Sequence, residues 1–247
     1  MGIITTSHDA VVEITLDWPE VRNALGPEEG KQLLNALWDA QSRETTAAIV
    51  LTANGKAFCA GGNLAEIVRL AEQGVEAVRL SVYGTFQAIF RAIGESPIPV
   101  ITAVDGPAVG FGCDLALAGE ATFIGKEGWL AQGWAKAGLI PATGGTLYVA
   151  RRGGPQAVWR LLAADRVDAA TADAWRLAIA CDNARDAALA MAGSLASLPL
   201  SGLRAVTQLA RIGEREAHLE AALEYQAGFI TSTEFAERAR AILGVSK

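Results

Sequence analysis

The chain has 247 residues, 51% of them apolar and 19% charged, which places it with well-packed globular proteins and excludes a disordered or low-complexity chain. A net charge of −6 and a pI near 5.1 give no electrostatic basis for nucleic-acid binding. Three widely spaced cysteines (Cys59, Cys113, Cys181) form no disulfide framework and point to a reducing compartment, and two distant histidines, His8 and His218, offer no metal spacing.

The first ten residues carry no basic segment followed by an apolar run. The longest apolar stretch, 98–117, is broken by Pro99, Asp105, Pro107 and Asp114. Neither a signal peptide nor a membrane span is predicted, and the expected setting is soluble and cytoplasmic. Residues 10–18 alternate as a half-buried strand. Residues 26–42 open with Pro27 and two glutamates that suit a helix N-terminus, and Leu33, Leu34, Leu37 and Trp38 share a face. A continuous apolar run, 47–53, reads as a fully buried strand, followed by a glycine-punctuated loop over 54–64. Residues 66–93 are helical in pattern, with Gly74 and Gly84 as weak points. A second buried strand (99–106), a helix (113–118) and a strand (121–125) follow. Beyond residue 154 the pattern is helical throughout, with segments near 155–164, 171–177, 184–197, 201–212, 215–229 and 232–243. The apolar stripes there (Leu195, Leu198, Leu203, Val206, Leu209; Leu219, Leu223, Phe229) exceed what a short appendage buries alone, so a subunit interface is expected.

Two loops share one design. "AFCAGGNL" follows the strand 47–53 and "GPAVGFGCD" follows the strand 99–105; each leaves a sheet through glycines into a helix. Such turns leave backbone N–H groups unpaired. If the loops lie side by side, two N–H donors can converge on one oxygen and stabilise an enolate or a tetrahedral oxyanion.

"AFCAGGNLAEI", "IPVITAVDGPAVGFGCDLALAGE" and "GLIPATGGTLYVARRGG" resemble the signature blocks of the enoyl-CoA hydratase/isomerase (crotonase) superfamily. The resemblance runs collinearly over about residues 3–180 and more loosely through the tail. It implies an α/β fold, a spiral of ββα units over 1–180 that binds acyl-CoA, and a helical region over 181–247 that builds homotrimers or hexamers. It implies an acyl-CoA thioester substrate, with coenzyme A as part of that substrate and no other cofactor. The implied oxyanion donors are the amides of Gly62 and Phe111. The implied substrate-binding stretch is Ala60, Gly61, Gly62, Asn63, Leu64 and Ala65, with Asn63 where the family commonly has Asp. Arg22, in "RNAL", falls where relatives approach the nucleotide end of coenzyme A.

The sequence also departs from the family. Its hydratases use two glutamates, because adding water to a conjugated double bond needs the water held and deprotonated while a proton reaches the α-carbon. The first position here is Asp114, the same charge on a shorter arm. The second falls on Trp134, whose indole N–H only donates. A third family carboxylate position falls on Ala142. Trp134 is expected to wall the acyl pocket. Tyr83, Phe86 and Phe90 read either as a cap of that pocket or as a helix–core face, and Asp114 either as the acid/base or as a helix cap. The expectation is a lyase or isomerase step on a thioester enolate with Asp114 as single acid/base. The alternatives are a thioester hydrolase or decarboxylase on the same site, or a non-catalytic acyl-CoA binder.

Overall fold

The two buried apolar runs of the sequence form the centre of the molecule because apolar side chains on both faces of a strand leave it stable only when both faces are covered. The computed structural model describes residues 2–211 and 215–244; the side chains of Leu209, Arg215, Ala217, His218, Ala221, Ala222 and Tyr225 lie outside the described set. In chain order the elements are β1 (Gly2–His8), β2 (Val11–Asp17), α1 (Pro27–Ser42), β3 (Ala48–Ala53), α2 (Leu64–Ala71), α3 (Val75–Ala77), a π-helical segment (Val78–Tyr83), α4 (Gly84–Glu95), β4 (Val100–Val104), β5 (Pro107–Val109), α5 (Phe111–Ala118), β6 (Ala121–Ile124) and β7 (Trp129–Ala131). There follow α6 (Gly145–Gly153), α7 (Pro155–Ala163), β8 (Val167–Asp168), α8 (Ala169–Ala174), β9 (Ile179–Ala180), α9 (Ala184–Ala196), α10 (Leu200–Leu209), α11 (Arg215–Ile230) and α12 (Thr233–Leu243).

One sheet runs β1-β2-β3-β4-β6-β9, and a smaller one runs β5-β7-β8. The hairpin β1–β2 is antiparallel, whereas β2–β3, β3–β4, β4–β6 and β6–β9 are parallel, with Ile49 opposite Val100 at the centre. On one face of the large sheet the main core gathers Ile14, Leu16, Leu33, Leu37, Ile49, Leu51, Phe86, Phe90 and Phe111. On the other face Val11, Val50, Ile101 and Ala103 meet Ala184, Ala188 and Ala192 of α9. The α/β class is as expected, and α9, although beyond residue 180, packs on the sheet rather than apart from it.

Most elements lie within a few residues of their expected ranges. The differences have local reasons. Strand β1 escapes the pattern because most of it is exposed at the sheet edge; β7, β8 and β9 span two or three residues and carry no periodicity of their own. The helix expected over 66–93 breaks at Gly74, whose φ of +96° is left-handed, and continues as the π-helical segment before α4. Trp38 does not join the buried face of α1: Leu33, Leu34 and Leu37 are buried, but Trp38 is exposed. Among the described residues no single helix is long and apolar enough to cross a membrane.

The close approach of the two glycine loops sets the tightest constraint in the fold. A Cβ on Gly112 would collide with the carbonyl oxygen of Cys59, and that carbonyl is already engaged by Val109 N at 3.0 Å. Replacing Gly112 with Ala must therefore separate the loops. The expected loss is about 2–4 kcal/mol of stability, measured by urea unfolding of the variant against the parent protein; a loss within about 0.5 kcal/mol would show that the contact is soft.

Candidate functional site

Three backbone segments converge beside the C-terminal ends of β3 and β4. Cys59 and Ala108 form a parallel bridge, with Cys59 N donating to Pro107 O at 3.1 Å and Val109 N donating to Cys59 O at 3.0 Å. On the other flank Leu25 bridges Gly62: Leu25 N donates to Gly61 O at 2.9 Å and Asn63 N to Leu25 O at 2.8 Å. The segment that carries Leu25 is itself fixed by Asn23. Its buried side chain accepts from Trp18 N at 2.7 Å and donates to Asn54 O at 2.9 Å and Ala57 O at 2.8 Å. Asn23 holds φ at +55°, a conformation that Asn tolerates better than most residues.

This pairing decides where two amides go. In a parallel bridge the amides of Gly61 and Gly62 alternate in direction, so the carbonyl before Gly62 and the amide after it serve Leu25 while the Gly62 N–H faces away. Phe111 opens α5, where the first turn has no internal acceptor; Gly110 before it, at φ +56°, spends its own N–H on Ala131 O at 2.9 Å. Among the described residues neither Gly62 N nor Phe111 N has a hydrogen-bond acceptor. Both residues line one cavity of about 560 Å³. Every residue expected to bind substrate (Arg22, Ala60, Gly61, Gly62, Asn63, Leu64, Ala65, Phe111 and Trp134) lines it too. The Asn63 side chain is partly occupied, since its Oδ1 caps α2 by accepting from Glu66 N at 3.4 Å. The Phe111 ring leaves the cavity and enters the core, with its centroid 4.5 Å from that of Phe86 and 5.4 Å from that of Phe90. That accommodates a bulky residue at an amide-donor position. Tyr83, Phe86 and Phe90 are accordingly core residues and do not line the cavity.

Asp114, the expected acid/base, is fully buried; it does not line the cavity and does not cap its own helix. Its Oδ2 accepts from Thr143 Oγ1 at 2.5 Å and its Oδ1 from Gln132 Nε2 at 2.8 Å. Burial raises its pKa from 3.8 to about 6, opposed by the hydrogen bonds from Thr143 and Gln132 and, at longer range, by the Trp134 indole. Thr143 and Gln132 were not singled out by the sequence; the only trace of Thr143 was its place beside Ala142 in "PATGG". Ala142 is itself buried, away from the cavity wall, and its carbonyl accepts from Gln87 Nε2 at 2.9 Å. Trp134 lines the cavity, 6% exposed, and its Nε1 has no hydrogen-bond partner among the described residues. Leaving a buried donor unpaired costs about 1–3 kcal/mol. Burial pushes the Cys59 thiol up to about 12 and raises Cys113 well above its usual value, the Asp114 charge adding to the effect. Neither is an ionised nucleophile near neutral pH.

The charged groups on the cavity wall are Arg22 and Lys136, with no carboxylate among the described lining residues. Lys136 pairs with Asp165 at 2.8 Å. The tail also reaches the site, which the sequence did not indicate. Ile242 and Leu243 of α12 line the cavity, and Gln226 of α11 accepts from Ile140 N at 3.0 Å. Of the tail's apolar stripes Leu203 and Leu219 are buried within the chain, while Leu198, Val206 and Phe229 are exposed.

The family model for enoyl-CoA hydratase/isomerase matches residues 6–241. A probable enoyl-CoA hydratase from Mycobacterium tuberculosis is 33% identical over 239 residues, with 92% of each chain covered. A 1,2-epoxyphenylacetyl-CoA isomerase from Escherichia coli is 28% identical over 248 residues, 98% of this chain and 95% of that one. A probable enoyl-CoA hydratase from Rhodobacter capsulatus is 35% identical over 162 residues, a match that spans 61% of that relative's length. Among solved structures, an enoyl-CoA hydratase/isomerase from Mycobacterium paratuberculosis superposes with a TM-score of 0.89 at 25% identity over 97% of each chain. An enoyl-CoA hydratase from Bacillus halodurans shares the fold with a TM-score of 0.90 at 21% identity, over 98% of this chain and 100% of that one.

The raised pKa of Asp114 has a sign for stability. The folded state holds this proton more tightly than the unfolded chain, so its stabilising effect is complete below pH 4 and is lost as pH rises from about 4 to about 6, by roughly 3 kcal/mol. Asp114→Asn removes the titration. Urea unfolding is expected to give equal stabilities at pH 4 and an Asn variant more stable by about 1–3 kcal/mol at pH 7. A variant less stable at pH 7 than at pH 4, relative to the parent, would contradict the burial argument.

Proposed function

The chain belongs to the enoyl-CoA hydratase/isomerase family, and from its site we propose that it is an isomerase of acyl-CoA thioesters that works through an enolate with Asp114 as its single acid/base. The observation that carries this reading is the pair of unpartnered amides, Gly62 N and Phe111 N, on neighbouring loops at one cavity wall. The thioester oxygen sits between them. On this reading Asp114, which is buried behind the lining residues, must gain access to the α-carbon when the thioester binds; as it takes a proton from that carbon, the electron pair of the C–H bond forms a double bond to the carbonyl carbon, and negative charge gathers on the oxygen that the amides hold. Returning the same proton to the γ-carbon moves the double bond into conjugation. A carboxyl group that titrates at about 6 is ionised enough at neutral pH to accept a proton and acidic enough to return it.

One carboxylate favours isomerisation over hydration. Proton transfer between two carbons of one substrate needs one shuttle, whereas hydration also needs the water held and activated, and Trp134 cannot do that. The relatives include both probable hydratases and an isomerase of a CoA thioester. Arg22, which has no ion-pair partner among the described residues, is suited to a phosphate of coenzyme A at the cavity rim. Coenzyme A enters as part of the substrate, and no further cofactor is needed. We place the protein in the cytoplasm as a homotrimer or hexamer assembled through the helical region 181–247, where Leu198, Val206 and Phe229 are exposed. A second reading, thioester hydrolysis or decarboxylation on the same amides, is favoured by the lack of any carboxylate among the described wall residues.

Turnover on 3-enoyl-CoA, crotonyl-CoA and malonyl-CoA separates these readings. Isomerisation of the 3-enoyl thioester is expected, with kcat rising through about pH 6 and hydration of crotonyl-CoA weak or absent. Release of free coenzyme A or carbon dioxide would favour the second reading, and crotonyl-CoA hydration near 10³ s⁻¹, the upper range of ordinary turnover, would refute the single-carboxylate argument. Asp114→Asn is expected to lower kcat at least a hundredfold while the dissociation constant for a saturated acyl-CoA stays within about threefold. Unchanged turnover would remove Asp114 from the chemistry. Multi-angle light scattering is expected to return a mass of three or six chains of 25.8 kDa; a monomer would remove the assembly.

A further inference from the structure

The isomerase reading gives Asp114 its task and leaves the side chain that holds it, Gln132, without one. Gln132 directly follows β7, where Ala131 lies opposite Val109 and Ala131 O accepts from Gly110 N at 2.9 Å. One strand end thus fixes the residue before the Phe111 amide and also delivers Gln132 to the carboxylate. Gln132 is buried. Its Nε2 donates to Asp114 Oδ1 at 2.8 Å, while its Oε1 is buried with no partner among the described residues. Reversed, the amide would set an acceptor against an ionised carboxylate, which only accepts. It keeps the orientation that suits Asp114 although an unpaired buried acceptor is unfavourable. Oδ1 is closed on another side by Gly145, where a Cβ would collide with it. Oδ2 instead meets the Thr143 hydroxyl at 2.5 Å, a group that can accept as well as donate. The titratable groups that face Asp114 are the Cys113 thiol on α5 and the Tyr83 hydroxyl on the π-helical segment. Burial keeps both protonated, and no cation or second carboxylate pairs with Asp114 among the described residues.

We propose that Gln132 is the positioning residue of the acid/base: its N–H group keeps Oδ1 an acceptor throughout, so that the proton Asp114 takes up and returns is carried on Oδ2. The inference rests on the single-carboxylate reading above and gives the two oxygens of that carboxylate different tasks. The bond from Nε2 favours the ionised form, because a proton on Oδ1 would meet a group that cannot accept it. Thr143 serves both forms, donating to an ionised Oδ2 and accepting from a protonated one. Without Gln132 the buried carboxylate loses a contact that opposes the effect of its burial, and it holds a proton to higher pH. A lone carboxylate must be ionised before the transfer and protonated during it. Separate oxygens for anchoring and for transfer let it do both in one side-chain conformation.

Gln132→Met keeps the length of the side chain and removes the donor. Its effect is read on the ¹³C-carboxyl NMR signal that Asp114→Asn deletes, a measurement that needs no turnover. The ionisation midpoint is expected to rise by about one to two pH units, and the rise of kcat with pH on a 3-enoyl-CoA to move by the same amount. KM is expected to stay within about threefold, since the substrate itself loses no contact. A midpoint within about 0.3 units of the parent's would overturn the proposal and reduce Gln132 to packing. Should the variant not fold, the parent protein decides by itself. Its Gln132 side-chain N–H signal is expected to move downfield as Asp114 ionises, with the midpoint of the carboxyl signal; a signal that stays in place through that titration would sink the inference. A shifted midpoint with turnover that does not depend on Asp114 would leave the hold of Gln132 on Asp114 standing and remove the isomerase reading instead.

Discussion

The site depends on one short stretch of parallel backbone pairing, the bridge between Cys59 and Ala108. Each of the two loops is an irregular strand-to-helix connection whose amides could face anywhere. Once Cys59 is hydrogen-bonded on both its N–H and its C=O to the segment 107–109, the two loops have a fixed offset. Gly62 and Phe111 then occupy neighbouring positions on one wall. The bridge tolerates only glycine at 112, because the helix after the second loop begins against the carbonyl of Cys59. The outer flank is secured by Leu25, and the segment bearing Leu25 by the side chain of Asn23. Geometry at the free amides is thus inherited from hydrogen bonds made by their neighbours, which is how a backbone donor is held without spending its own N–H.

Around this frame the protein keeps polar groups in places where they are unfavourable. Asp114 is a buried carboxylate without a basic partner among the described residues, held by two neutral donors and shifted to about 6. The Trp134 indole N–H and the Tyr83 hydroxyl are buried without partners among the described residues, and the Asp114 charge adds to the burial that raises the Tyr83 pKa. Strained or unsatisfied groups persist where the rest of the fold over-determines them, and they cluster where ligands bind. The aromatic core beneath the site supplies rigidity of that kind, since the Phe111 ring meets Phe86 tilted and Phe90 edge-on.

The helical region is more closely tied to the site than a separate appendage would be. Helix α9 covers the far face of the main sheet, α11 bonds to the segment after Trp134 through Gln226, and α12 brings Ile242 and Leu243 to the cavity. Ion pairs of Arg79 with Glu224 at 2.5 Å and of Arg91 with Glu216 at 2.7 Å connect α11 to the segment 78–95. These pairs are largely exposed and contribute about 0–1 kcal/mol each.

By itself the sequence determined the α/β class, the central strands, most helices and the cavity-lining stretch 60–65, because each of these is written in local pattern: apolar runs, periodic faces and glycines at strand ends. Family blocks whose order and spacing are specific also pointed to Gly62, Phe111 and Asp114 as candidate site residues. Only the tertiary structure decided what surrounds them. Thr143, Gln132 and Asn23 are polar residues with no periodic signal, and they acquire a role only when distant segments are brought to hydrogen-bond distance of a buried group. The same holds for Asp114, which could have capped its own helix and is instead held by residues 18 and 29 positions further along the chain. Burial, and with it the shift in that carboxyl group's acidity, is a property of the packed interior and is absent from any local stretch of the chain.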